Sequence, residues 1–302
     1  MAQRQEVVIM ERKFKLPISN STEGEADFVV FGVPDDSGSA YRKGSSKAPD
    51  AIRNFVSRNE IGAVFHSGKK SLFEPEMHKL DARVCDAGNR SRNAASEYAG
   101  IITSKGKIPI VIGGDHSVTY DILKGINPRS KFGVAYFDAH PDIISSRGSY
   151  FGSVVNDLLS IPSFDPKSSV IIGLRTPEDE EIDNIRKCGI NVITPLQIAD
   201  IGIKAAAARI GAILKRKTYL SIDMDAVDPA FAPGVTEPEP AGLSANEMVY
   251  LAKSVAKKGL IGFDIMEVVP EYDRSGMTLY LAYRLILEII AAAGKPTRHS
   301  TR

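Results

Sequence analysis

Asp138, His140 and Asp142 stand at alternate positions directly after the apolar run FGVAYF. At a strand end alternate residues point the same way, so this i, i+2, i+4 spacing can aim three ligands at one site. Asp223 and Asp225 repeat the geometry after TYLSI, where two carboxylates are costly to bury without a compensating charge. His116 follows IPIVI through Gly113 and Gly114, which let the backbone turn sharply. Each segment alone has a plainer reading: a helix cap and turn for DxHxD, a solvated strand end for Asp223 and Asp225, a structural role for a single histidine. Together they offer four carboxylates and two imidazoles with no thiolate. That oxygen-rich donor set favours Mn²⁺ over a structural Zn²⁺ without excluding other divalent ions. Four carboxylates also match the charge of two divalent cations. Two such ions about 3.5–4 Å apart, bridged by carboxylates, lower the pKa of a shared water so that hydroxide is available at neutral pH.

Something must bring these distant segments to one place. Short runs rich in Val, Ile, Phe and Tyr at 27–33, 108–112, 132–138, 169–174, 190–194, 218–224 and 260–265 read as buried parallel strands. Helical patterns lie between them at 48–58, 91–105, 117–126, 177–188, 203–216, 244–258 and 276–293, several opening with Ser, Thr or Pro. Sustained alternation without a linker predicts one α/β domain over 1–302: a three-layer arrangement with a parallel sheet of about eight strands and helices on both faces. A short arm over 1–26 and a tail over 294–302 flank it. In such sheets ligands bind beyond the carboxyl ends of the strands. GGDH at 113–116, DAHPD at 138–142, Asp223 to Asp225 and Glu267 all fall there.

Bulk properties narrow the function classes. The 302 residues carry 38 basic and 37 acidic side chains, so no global field favours nucleic acid or an anionic membrane. No apolar stretch is long enough to span a bilayer. Two cysteines, Cys85 and Cys188, cannot build a disulfide framework, and the N-terminus lacks a signal-peptide core, so a cytoplasmic location is expected.

The blocks GGDHS at 113–117, DAHPD at 138–142, SIDMDAVDPAFAPG at 221–234 and GFDIMEVVP at 262–270 resemble the signatures of the ureohydrolase family of arginases and agmatinases, as does FGVPDDSGSAYRKGSSKAPDAIR near the N-terminus. The match in order and spacing runs over roughly residues 27–290. The resemblance implies an arginase-like fold and two Mn²⁺ per chain. One would be held by His116, Asp138, Asp142 and Asp223, the other by Asp138, His140, Asp223 and Asp225, so that Asp138 and Asp223 bridge. It implies that Glu267 binds a guanidinium group, and that the chain assembles into trimers or hexamers. A guanidinium carbon is a poor electrophile, so its hydrolysis needs a strong nucleophile and an anion that fixes the cation, the second supplied by Glu267. Asp142 could then carry a proton to the leaving amine.

Two departures from the family matter. Many ureohydrolases carry a further histidine, a proton shuttle, shortly after DAHxD, where this chain reads ISSRGSYFGSVVNDLL. None of the five histidines, His66, His78, His116, His140 and His299, falls there; Phe151 or Gly152 takes the position. The family loop close to PGTGTPEPGGL reads PGVTEPEPAGL, placing the negative charge of Glu237 at the expected substrate entrance, where a solvated loop residue is an equally good reading. The arginase segment that grips an α-amino acid head is not recognisable after Asp142. A small cationic guanidino substrate is therefore expected, agmatine first, going to putrescine and urea. Arginase, guanidinobutyrase or formiminoglutamase activity are the alternatives within the family. A Zn²⁺ deacetylase of related fold would not need Asp142, Asp223 and Asp225 together. A metal-binding chain of little activity, lacking the shuttle, is the remaining reading.

Overall fold

The computed structural model describes residues 15–59, 64–67, 76–79, 82–145, 148–214 and 217–294, the second and third of these as backbone alone. Among the described residues ten strands are β1 (Phe28–Gly32), β2 (Val64–Ser67), β3 (Glu76–Lys79), β4 (Val84–Asn89), β5 (Ile108–Ile112), β6 (Gly133–Phe137), β7 (Val170–Ile172), β8 (Asn191–Ile193), β9 (Thr218–Asp223) and β10 (Leu260–Met266). Eight of them form one sheet in the order β4-β1-β5-β10-β9-β6-β7-β8. Every pairing in it is parallel. β2 and β3 pair apart from it as an antiparallel hairpin. This is the three-layer α/β arrangement, a parallel sheet of about eight strands with helices on both faces, expected from the alternating pattern.

A strand buried on both faces must be apolar at every position, and β1, β5, β6 and β9 are buried throughout. Alternate side chains sort to opposite layers. Ala135, Phe137, Leu220 and Ile222 join a core with α1 (Ala48–Arg58), α7 (Ile203–Ile213), α8 (Ala245–Ala256) and α9 (Met277–Ala293). Val134, Tyr136 and Tyr219 join another with α2 (Arg92–Ser104), α3 (Val118–Ile126) and α4 (Val154–Leu158). Each fully buried Ile, Leu or Phe contributes about 1.5–3 kcal/mol. The helices start where local chemistry allows: Ser244 Oγ accepts from Glu247 N at 3.2 Å in a capping box that opens α8, and Thr194 with Gln197 does the same for α6 (Pro195–Ile201).

The seven expected strands are all present, and an eighth, β4, lies at the sheet edge. Its sequence VCDAGN is apolar only at its start, and it is completed by an ion pair rather than by packing: Arg53 of α1 grips buried Asp86 through Nε and Nη2, both at 2.8 Å. Two short helices, α4 and α6, and the hairpin were not in the reading. Residues 16–26 of the expected arm pack against this edge, with Leu16 and Ile18 buried and Asn20 N bonded to Val84 O at 2.9 Å.

Candidate metal centre

β5, β10, β9 and β6 are neighbours at the middle of the sheet, so their carboxyl ends deliver side chains to a single rim. After β5, a Cβ on Gly114 would stand 1.8 Å from Asp35 O, so only glycine lets the segment from residue 35 cross there. Asp115 then pins that segment: its Oδ2 accepts from Gly38 N at 2.6 Å and Ser39 N at 3.0 Å. The turn presents His116, which is fully buried. Asp138 and Asp142 follow β6, Asp142 with φ of 46°, a conformation that costs about 1–3 kcal/mol outside glycine and is found where the surroundings impose it. Glu267 ends β10 with φ of 62°.

The six residues singled out by spacing come together. His116 Nδ1 lies 3.0 Å from Asp138 Oδ2, 3.1 Å from Asp223 Oδ2 and 3.7 Å from Asp142 Oδ2. His140 Nδ1 lies 3.2 Å from Asp225 Oδ2 and 3.4 Å from Asp138 Oδ1. Two candidate ligand groups result, His116 with Asp138 and Asp142, and Asp138 with His140 and Asp225, and they share Asp138. Asp223 stands beside the first.

Backbone donors fix one oxygen of three of these carboxylates and leave the other facing inward. Asp138 Oδ1 accepts from His140 N at 2.7 Å, Asp223 Oδ1 from Asp225 N at 2.8 Å, and Asp225 Oδ1 from Ala139 N at 3.0 Å. Asp138 Oδ2 is buried with no hydrogen-bond partner. His116 Nε2 lies 2.8 Å from Ser221 Oγ, whose own proton goes to Asp264 Oδ1 at 2.8 Å, so the imidazole donates from Nε2 and turns a lone pair toward the carboxylates. The Tyr136 hydroxyl donates to Asp142 Oδ2. Carboxylate oxygens thus converge on the two imidazoles, and the buried Asp138 Oδ2 among them has no hydrogen-bond partner, a need that a divalent cation would meet in place of the protons the cluster otherwise holds.

The electrostatics agree. Burial and then the charge of Asp138 push the Asp142 carboxyl well above the usual range; burial, then Asp225 and Asp138, do the same to Asp223. Burial would raise Asp138 too, but His116 and His140 hold it at about 2. Burial opposes charge on His116, yet Asp138 and Asp223 hold its imidazolium well above the ordinary value. The protein surrounds this cluster with more negative charge than its own cations neutralise.

Glu267 is also buried, its Oε1 accepting from His116 N at 2.8 Å and its Oε2 from the Thr236 hydroxyl. Glu237 is partly exposed, with Oε2 3.5 Å from His140 Nε2. Phe151 and Gly152, the two positions at which the shuttle histidine was sought, begin a short 3-10 turn over Phe151–Ser153, with Phe151 edge-on to Tyr150 and centroids 4.9 Å apart. His66 and His78 fall on the hairpin described as backbone alone, and His299 lies outside the described residues.

The sequence reading missed the layer beneath the ligands. Tyr136, Ser221 and Asp264 form a row across β6, β9 and β10 in register, one step below Asp138 and Asp223. Asp264 accepts from Ser221, Thr119 and Tyr219, each at 2.8 Å, and Tyr136 stacks on His116 with centroids 4.5 Å apart. The same period of two that marked Asp138 and Asp223 points back to Tyr136 and Ser221. Replacing Asp264 with Asn puts an amide nitrogen either at Oδ2, where Thr119 and Tyr219 donate, or at Oδ1, where Ser221 donates, so unfolding free energy should fall by about 1–3 kcal/mol in denaturant titrations. Affinity for an ion that His116 would hold should weaken about 10–100-fold. An unchanged midpoint and metal affinity would show that the row is not coupled to the ligand.

A family model described as Arginase family matches residues 26–292. The chain belongs to the arginase family. It is an arginase-family amidinohydrolase, and members of the family carry a binuclear metal centre. Proclavaminate amidinohydrolase of Streptomyces clavuligerus is 31% identical over 277 residues, covering 87% of each chain. Agmatinase of Citrobacter koseri is 32% identical over 292 residues, covering 91% of this chain and 90% of its own. The crystal structure of agmatine ureohydrolase of Thermoplasma volcanium superposes with a TM-score of 0.81 at 30% identity, covering 95% of this chain and 96% of that one.

Proposed function

We propose that this arginase-family chain hydrolyses agmatine to putrescine and urea with two Mn²⁺. His116, Asp138, Asp142 and Asp223 would hold one ion and Asp138, His140, Asp223 and Asp225 the other. The observation that carries this reading is the pair of ligand groups sharing Asp138, with buried Glu267 bonded to the backbone of His116. When bound, the ions supply a hydroxide nucleophile at neutral pH. The chain's own residues do the rest. Glu267 uses one lone pair on each oxygen for His116 N and Thr236, which leaves others for the two N–H groups of a guanidinium. Asp142, oriented by the Tyr136 hydroxyl, would pass a proton to the leaving amine, the task that a histidine at position 151 or 152 would otherwise share.

Agmatine is favoured by charge. Glu237 adds negative charge at the expected entrance, a field that suits a substrate cationic at both ends without requiring a direct contact with it. Relatives bearing different substrate names share the fold, so the fold alone does not choose among guanidino compounds. A cytoplasmic homo-oligomer, trimer or hexamer, belongs to the same reading; no helix among the described residues is long and apolar enough to cross a membrane. With Mn²⁺-loaded protein, urea release from agmatine should exceed that from arginine, guanidinobutyrate and formiminoglutamate by about tenfold or more in kcat/KM, the effect of one favourable charge contact. Faster turnover of a carboxylate-bearing substrate would sink the choice of agmatine. Absence of urea across the panel at full metal occupancy would sink the hydrolase reading.

A further inference from the structure

The segment that carries Glu237 is fixed at both ends. Val235 bridges to Val268, Thr236 N donates to Glu267 O at 3.3 Å, and the Thr236 hydroxyl reaches the Glu267 carboxylate. On the far side Arg175 donates to Glu239 O at 2.6 Å and Pro240 O at 2.9 Å. The same guanidinium donates to Asp225 O at 2.7 Å and Gly173 O at 3.0 Å, tying the loop to the strand end that presents Asp225. Between these anchors Glu237 is not free to wander as a solvated loop residue would be. Its side chain is 26% exposed and its Oε2 faces His140 Nε2, while the other ring nitrogen, Nδ1, faces Asp138 and Asp225.

We propose that Glu237 is a positioning residue for the second metal site: its carboxylate, within ion-pair reach of His140 Nε2 at 3.5 Å, favours the proton on that nitrogen and so leaves Nδ1 to face Asp138 and Asp225. The proposal rests on the reading that His140 is a ligand. A carboxylate behind a ligating imidazole fixes its tautomer and rotation and raises its basicity. The two histidines differ in this respect. His116 meets a serine hydroxyl with a carboxylate one hydrogen bond further on, whereas His140 meets its carboxylate directly. Where the family loop carries a threonine, this chain uses the entrance loop itself to hold a ligand.

Mn²⁺ titration of metal-free protein in the absence of substrate tests this, followed by calorimetry and electron paramagnetic resonance. The wild type should take up two ions. E237T should keep one at wild-type affinity and bind the other about 10–100-fold more weakly, with E237Q, whose amide oxygen still accepts, falling between them. The rate lost by E237T at limiting Mn²⁺ should return with excess ion, which separates this role from a failure to fold. Unchanged affinity for both ions in E237T, with a raised KM for agmatine, would overturn the proposal and assign Glu237 to the substrate's distal cation. A wild type that takes up fewer than two ions would overturn the ligand assignment itself.

Discussion

Replacing Asp138 with Asn should leave a folded chain that holds neither ion and has lost about 10³-fold or more in kcat/KM, a barrier increase of about 4 kcal/mol. Asp138 is common to both candidate ligand groups, so its loss cannot be confined to one of them. The asparagine oxygen can still accept from His140 N, as Asp138 Oδ1 does at 2.7 Å, which keeps the turn after β6 intact. Its amide nitrogen, however, falls at the position of Oδ2, the buried oxygen without a donor, and turns an acceptor toward the ions into a donor. The substitution also removes one charge that pushes up Asp142 and Asp223, so the metal-free variant should be no less stable than the metal-free wild type. The diagnostic is the response to Mn²⁺. Ligand at 100 times its dissociation constant stabilises the native state by about 2.7 kcal/mol per site, and this thermal shift should vanish in D138N. Two retained ions with full rate would show that Asp138 is not a bridge.

Glu267→Gln should give the complementary phenotype, with both ions kept and the substrate lost. Glu267 is 2% exposed and packed under the ligands without reaching into either group. Burial and then the Asp115 charge raise its carboxyl to about 8, so near neutral pH it holds a proton that a cation bound against it would displace. Removing the negative partner from a buried ion pair costs about 3–5 kcal/mol, two to four orders of magnitude in kcat/KM for a guanidinium substrate. The glutamine oxygen can still accept from His116 N, so the His116 turn and the metal count should survive. Steady-state urea release with parallel metal analysis checks this; a variant that loses its metals together with its rate would make Glu267 a support of the ligands and not a substrate group.

Much of this molecule is legible in its sequence because parallel strands buried on both faces are written as unbroken apolar runs. IPIVI and FGVAYF could be little else, and the polar residues that end them could be placed at the rim. Strand β4 escaped because Asp86, Gly88 and Asn89 break its pattern; the compensation is Arg53, a buried cation on a helix 33 residues earlier, and no local period records that. Helices α4 and α6 escaped because five and seven residues are too short to show a helical stripe. At the site, residues that alternate on one strand were found, whereas contacts made across the sheet were not. Ser221 and Asp264 pair in register from strands 43 residues apart, and Glu237 meets His140 only because Arg175 folds its loop back over Asp225. Charge on Glu237 was visible; its partner was a matter of tertiary structure.

The central claim is a pair of metal ions joined through Asp138, and its most direct test is electron paramagnetic resonance of Mn²⁺-loaded protein with the metal-to-chain ratio measured on the same sample. The proposed centre predicts two ions per chain and an exchange-coupled spectrum, as expected for ions about 3.5–4 Å apart. One ion per chain with the six-line signal of isolated Mn²⁺ would contradict it.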